Sequence, residues 1–346
     1  MEPVAEVWRD AKTLIVVTNG ALGLLPLSLL PTEPAKVAAK IEGVPYFAGY
    51  RNVRWLARTH AVVAMPSAAA LRTLRNVAVP SIQREQIVGF GDPYFNVEQA
   101  KEAIAPDPTR IAADTMRNAR VNRRASIGTE QLPSTTLGAL PSLEDTGDEL
   151  RAIAAALQAD PSKVLYLGKD ANEKIVKSID LTRYRVVVFA THGLVPDDLE
   201  GLTQPALALT APEVADIDGD GLLTVDEILA LRLNADWVVL SACNTAAGAG
   251  QGAEALSGLG RAFFYAGSRA LLVTNWPVDS ASARELVAGV FRRQAENSQL
   301  SRAELLRQSM MAMLESSERK NETGETLYTH AHPLFWAPYT IMGDGG

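Results

Sequence analysis

Apolar and polar positions along the chain alternate between two habits. Short β-branched runs recur at Thr13–Thr18, Ala61–Met65, Gln86–Phe90, Lys163–Leu167, Arg185–Thr191, Ala206–Thr210, Asp236–Ala242, Ala270–Asn275 and Tyr339–Met342. Each reads as a strand. Val186, Val187, Val188 and Phe189 are apolar at consecutive positions, as are Val238, Val239 and Leu240. Such runs predict strands buried on both faces, the habit of parallel sheets covered by helices. Between the runs lie helix starts. Thr146 with Glu149, Ser282 with Glu285 and Ser301 with Glu304 each have the spacing of a capping box, in which the hydroxyl accepts from an orphan N–H and the carboxylate reaches back. The first precedes an apolar stripe of Leu150, Ile153 and Leu157. Gly267 is the expected stop of a helix that begins near Ala253. Alternation of strand and helix over this length predicts an α/β fold.

Periodicity fades between Ala105 and Leu140, where prolines crowd the margins and Arg117, Arg120, Arg123 and Arg124 follow one another without an acid among them. This stretch is expected to be a loop or linker at about 105–140 between two α/β halves, 1–135 and 141–346. A regulatory or protease-sensitive connector is the second reading.

Composition narrows the class. The chain has 346 residues, 47% hydrophobic and 21% charged, which excludes global disorder. No apolar run approaches the roughly 18–20 residues that span a bilayer, so no membrane role is expected. The formal charge of −7 argues against nucleic acid as a partner, since that function favours a basic face. Met1–Asp10 has neither a basic start nor an apolar core, so no secretory leader is read there. Cys243 is the single cysteine. It excludes an intrachain disulfide and a multi-thiolate metal site, and makes a reducing cytoplasm the expected compartment.

That cysteine stands where a buried run gives way to small and polar residues, Asn244, Thr245, Ala246, Ala247 and Gly248. Strand C-termini are where open α/β sheets keep their reactive groups. A buried inert thiol is the competing reading. His192 ends another apolar run and is followed by Gly193. A histidine and a cysteine 51 residues apart at two strand ends suit a nucleophile and its base. Gly193 and Cys243 could offer their N–H groups to an oxyanion. Of the other histidines, His60 reads as structural, and His330 and His332 flank a turn before Pro333.

Several segments, in order, resemble one family. They are Phe189–Gly193, Gly221–Ile228, Leu240–Thr245, Gly258–Gly267 and Val273–Asp279, with Gly91–Pro93, Met65–Ser67, Leu22–Pro26 and His332–Tyr339 further out. Together they resemble the CHAT domain (caspase HetF-associated with TPRs), a relative of caspases and separases. The resemblance implies a caspase-like three-layer α/β/α sandwich with a mostly parallel central sheet. It implies a cysteine endopeptidase with a Cys243–His192 dyad and an oxyanion hole of Gly193 and Cys243, acting on a protein or peptide substrate. It also implies an N-terminal pseudo-caspase half at residues 1–135, and an activating protein or sensor subunit as a further partner. Relatives that cut after basic residues often place an Asp just before the nucleophile; here that position is Ala242. Glu254 and Asp279 are the acids nearest the motifs. Lining a substrate pocket is one reading of them; ion pairing or helix capping is the other.

Asp216, Asp218, Asp220, Gly221, Leu222 and Glu227 occupy positions 1, 3, 5, 6, 7 and 12 of an EF-hand loop, a spacing that lets oxygens converge on Ca²⁺. The stretch before it carries Pro205 and Pro212 and offers no entering helix. A calcium site and an acidic turn before a helix both remain open, and the peptidase chemistry itself requires no cofactor. Three functions follow from the sequence: the endopeptidase first, a catalytically silent peptide-binding or signalling scaffold second, and a calcium-sensing module third.

Overall fold

The computed structural model of the protein describes residues 5–18, 22–23, 25–37, 42–76, 83–104, 136–143, 145–241, 251–276, 278–321 and 323–346. The strands in chain order are β1 (Thr13–Val16), β2 (Ala61–Ala64), β3 (Glu85–Gly91), β4 (Leu165–Leu167), β5 (Tyr184–Ala190), β6 (Gly193–Leu194), β7 (Ala206–Ala208), β8 (Leu222–Thr224), β9 (Trp237–Leu240), β10 (Ala270–Thr274), β11 (Glu318–Lys320), β12 (Thr326–Thr329) and β13 (Tyr339–Gly343). The helices that shape the site are α1 (Val97–Ile104), α2 (Asp145–Ala156), α3 (Glu173–Ser178), α4 (Val225–Ala230), α5 (Gln251–Ala266), α6 (Ser280–Glu296) and α7 (Arg302–Ser316).

Eight strands form one sheet in the order β1-β2-β13-β10-β9-β5-β3-β4. Every neighbouring pair is parallel except β13 on β10. The mixed α/β architecture with a mostly parallel central sheet is therefore as expected, and each of the nine predicted runs contains a strand. β1, β2 and β3 belong to the same sheet as β4, β5, β9, β10 and β13 of the second half.

Side-chain alternation explains why the apolar runs are continuous. Val186 and Val188 point into one hydrophobic layer, with Val239 and Leu272 beside them. Val187 and Phe189 point into the other, with Val238, Leu240, Leu271 and Val273. Successive strand residues face opposite sides, and both sides are covered. The first layer is closed by Leu150 and Ile153 of α2, Leu286 and Val290 of α6, and Leu306 and Met310 of α7. The second is closed by Val176 of α3, Ile228 of α4, and Leu259 and Phe263 of α5. At about 25 cal/mol per Å² of apolar surface buried, these two layers carry most of the drive to fold. A smaller cluster of Phe95, Leu194, Leu199, Leu202, Ala206 and Ala208 lies under a three-stranded sheet, β6-β7-β8.

Two glycines on β3 set how closely α2 can approach. A Cβ on Gly89 would come within 2.8 Å of Leu150, and one on Gly91 within 2.6 Å. Without those carbons the helix lies down on the strand.

Helix starts differ from expectation at two of three places. α2 begins at Asp145, so Thr146 is already inside the first turn. Its hydroxyl accepts from the Asp92 N–H at 2.8 Å and donates to the Leu143 carbonyl at 2.7 Å; Glu149 is buried rather than reaching back. α6 begins at Ser280 with Asp279 as its cap, which accepts from the Ser282 N–H at 2.9 Å. Ser301 does cap α7, accepting from the Glu304 N–H at 3.2 Å, while the Glu304 carboxylate turns to Arg307 and Gln308. Gly267, at φ 116°, ends α5 as expected. Among the described residues no helix is long and apolar enough to cross a membrane.

Candidate active site

The site is built at the C-terminal ends of interior strands of the sheet. β5 and β9 are parallel neighbours, so their C-terminal ends lie side by side, and Phe189 on β5 is the register partner of Leu240 on β9. His192 comes three residues after Phe189, and Cys243 comes three residues after Leu240. Cys243 itself lies outside the described residues. Ser241, the last described residue before it, donates its N–H to the Phe189 carbonyl at 2.9 Å, which extends the β5–β9 pairing by one step. Its hydroxyl meets that of Tyr339 at 3.1 Å. Tyr339 begins β13 opposite Thr274, the last residue of β10. The ends of β5, β9 and β10 and the start of β13 thus share one rim.

His192 is held from several sides. Its carbonyl accepts from the Ala208 N–H at 2.9 Å. Its ring lies 5.4 Å from the ring of Phe95, tilted by 41°. Nε2 is 2.9 Å from the Pro141 carbonyl oxygen. A carbonyl only accepts, so Nε2 carries the proton and Nδ1 keeps the lone pair in the neutral ring. Burial holds the imidazole pKa below its usual 6.5, against the opposing pull of the Pro141 carbonyl. The ring is therefore neutral at pH 7 and equipped to act as a base.

Pro141 is placed by a relay from β3. After β3 the chain reaches Phe95, whose N–H donates to Gln99 Oε1 at 2.8 Å. Gln99, on α1, then donates from Nε2 to the Leu140 carbonyl at 2.8 Å, and Asn96 donates from Nδ2 to the Gly138 carbonyl at 2.7 Å. Two amide side chains thus pin the segment that offers Pro141 to the histidine. Sequence reasoning missed this support, because a backbone carbonyl leaves no side-chain signature.

Gly193 opens β6, opposite Leu207 on β7. The hydrogen-bonded pair is the preceding one, Ala208 with His192. In an antiparallel ladder bonded and non-bonded pairs alternate, so the Gly193 N–H is turned away from β7 and available to another acceptor.

The remaining site candidates are dispersed. Asp279 serves as the α6 cap; its Oδ2 takes both the N–H and the hydroxyl of Ser282, at 2.9 and 2.8 Å. Glu254 lies on α5, and its side chain is outside the described part. In the acidic loop, Asp216 adopts a left-handed φ of 53° and Gly221 one of 77°. The turn is held from outside: Glu173 Oε2 accepts from the Asp220 and Gly221 N–H groups at 3.0 and 2.9 Å. Asp220 Oδ1 accepts from the Leu222 N–H at 2.9 Å. Glu227 Oε1 pairs with Lys177 at 2.6 Å, and its Oε2 takes the Thr224 N–H and hydroxyl, each at 2.8 Å. Hydrogen bonding and the lysine hold the Glu227 carboxyl below the ordinary range, against burial. Among the described residues, no three acidic, histidine or cysteine side chains are gathered as donors for a metal ion.

A family model described as the CHAT domain matches residues 1–344. Tetratricopeptide repeat protein 28 of Mus musculus is 28% identical over 272 residues, covering 68% of this chain and 10% of that protein. The chain thus spans about a tenth of the length of this relative. A solved structure titled as the Saccharomyces cerevisiae separase–securin complex aligns with a TM-score of 0.41 at 13% identity, over 85% of this chain and 14% of that one.

Proposed function

The chain belongs to the CHAT domain family, and from that premise we propose that it is a caspase-like cysteine endopeptidase that cleaves a protein or peptide substrate through Cys243 and His192. One observation carries the reading. Phe189 and Leu240 pair across neighbouring parallel strands, and His192 and Cys243 follow them at the same chain distance.

The chemistry then follows from the groups at the rim. With Nε2–H committed to Pro141, Nδ1 of His192 takes the thiol proton. The thiolate adds to the scissile carbonyl; a carbon–sulfur bond forms and the C=O electron pair moves onto oxygen. The N–H groups of Gly193 and Cys243 hold that oxyanion. The imidazolium gives its proton to the leaving amine as the carbon–nitrogen bond breaks, which leaves a thioester. Water, deprotonated by the neutral imidazole, hydrolyses the thioester and restores the thiol.

Charge near the site bears on the substrate. Between Val186 and Leu231 the chain holds nine acidic residues and no lysine or arginine. A cleft of about 510 Å³ beside the three-stranded sheet is lined by Leu137, Leu199, Leu202 and Leu222 with Glu200 and Asp220. We read this as the path of an extended chain with basic side chains near the cut.

A peptide-library digest read by mass spectrometry tests the proposal, with wild type and Cys243→Ala side by side, each with and without Ca²⁺. Cleavage by wild type alone, enriched near Lys or Arg, is the expected result. Cleavage that survives in Cys243→Ala removes the assignment. Intact peptides in both, with peptide retained on the protein, favour the silent scaffold.

A further inference from the structure

A second polar cluster lies at the opposite end of the sheet, where four mutually parallel strands begin. Arg84 directly precedes β3, Arg185 is the second residue of β5, and Asp236 and Arg269 directly precede β9 and β10. Asp236 is the hub. Its Oδ1 meets Arg84 at 3.1 Å and Arg269 at 3.5 Å, and its Oδ2 accepts from Arg84 at 3.2 Å and from Arg185 Nε at 2.8 Å. A carboxylate offers about four acceptor sites, so this one is filled. Arg302, the first residue of α7, turns instead to Asp344, whose carbonyl accepts at 3.2 Å and whose carboxylate stands 3.6 Å away. Arg75 shares that carboxylate at 3.7 Å. Asn234 gives its Oδ1 to Arg269 at 3.3 Å, and its Nδ2 is buried without a partner. Positive charge and hydrogen-bond donors are both in surplus: among the described residues, five guanidinium groups meet two side-chain carboxylates.

This surplus borders an open cleft of about 440 Å³, a volume in the range of small-ligand sites. Arg185 and Arg302 line it with Gln294 and Ser298. The Arg302 guanidinium is held 5.9 Å over the Trp237 ring, with 19% of its side chain exposed. Among the described residues, no hydrogen-bond acceptor meets either terminal nitrogen of Arg185, or Nε and Nη2 of Arg302. We propose that this cleft binds a phosphate group, free or carried by a small molecule, between Arg185 and Arg302. A guanidinium is a planar fork that matches phosphate oxygens two at a time. One phosphate brings up to two negative charges and at least three acceptor oxygens, so it can answer both forks at once; a carboxylate, with one charge and two oxygens, answers one. Gln294, whose Oε1 accepts from Trp237 Nε1 at 3.0 Å, adds an amide NH₂ to the wall. The inference is independent of the peptidase reading: β5, seven residues long, separates this cleft from the His192 rim by roughly 20 Å.

Isothermal titration calorimetry tests this with inorganic phosphate and, separately, with adenosine monophosphate, in chloride buffer at fixed ionic strength. Wild type should show saturable binding at one site. Arg302→Gln should bind about tenfold more weakly or worse, since hydrogen bonds to a charged group are lost. Arg302→Lys keeps the charge without the fork and should fall between the two. Tighter binding of adenosine monophosphate than of inorganic phosphate identifies a phosphate ester as the ligand; no gain over inorganic phosphate identifies the free ion. Amide spectra of the wild type give a reading that needs no variant: phosphate, and not chloride at the same ionic strength, should shift the signals of Arg185 and of residues 298–302. Absence of saturable binding, shifts confined to other parts of the chain, or undiminished affinity in folded Arg302→Gln would overturn the proposal.

Discussion

His192 donates from Nε2 to the carbonyl oxygen of Pro141 across 2.9 Å, and this bond leaves the lone pair of the neutral ring on Nδ1. A nitrogen-15 correlation spectrum of the imidazole should report the Nε2–H tautomer at neutral pH. The ring should gain its second proton only below the usual 6.5, because burial disfavours the cation. A depressed histidine pKa places its stability contribution above the unfolded value, and that contribution is lost as pH falls. An Nδ1–H tautomer would contradict the orientation described here.

Glu149 makes the opposite contribution. Its carboxyl rises from 4.5 to about 7 on folding, so between those values the native state binds a proton that the unfolded chain has released. Stability therefore falls as pH rises through this window and levels off above it. The shift corresponds to roughly 3 kcal/mol. Urea unfolding of wild type and Glu149→Gln at either end of the window should differ by about that amount, with the glutamine variant less sensitive to pH. Parallel dependence in the two proteins would refute this.

The seat of α2 depends on a missing carbon. Gly91→Ala would place a Cβ 2.6 Å from Leu150 and 3.2 Å from the Ala190 carbonyl. Overpacking of this kind lowers stability by about 1–3 kcal/mol. Thermal or urea unfolding measures it directly, and an unchanged midpoint would mean that α2 is not so closely seated.

Much of this arrangement is legible in the sequence, and the exceptions have physical causes. Strands such as β5 and β9 are visible because both faces are buried, which leaves uninterrupted apolar runs. β6 has two residues, too few for a period to emerge. Thr146 has the right spacing for a capping box, yet its hydroxyl finds the Asp92 N–H across the fold, a partner 54 residues away that local spacing does not announce. Glu149 reads as the reaching-back acid of that capping box, and its burial comes from tertiary packing that local spacing does not announce. Pro141 contributes a carbonyl that every residue type possesses.

Glu173 anchors the acidic turn through two backbone N–H groups, while Lys177 and Thr224 occupy the Glu227 carboxylate. Hydrogen bonds to a charged group contribute about 1.5–3 kcal/mol, so Glu173→Ala should lower stability by roughly 2 kcal/mol. Millimolar Ca²⁺ should leave the wild-type melting temperature unchanged. A rise in that temperature that Asp218→Ala abolishes would instead make the loop a cation site.

The rate at which iodoacetamide labels Cys243 near neutral pH, in wild type and in His192→Ala, is the most direct test of a thiol paired with an imidazole. A base positioned for proton transfer is worth about 10²–10⁴ in rate, so the variant should label at least tenfold more slowly while its circular dichroism stays native. Equal labelling of the two folded proteins would contradict the pairing on which the proposed peptidase depends.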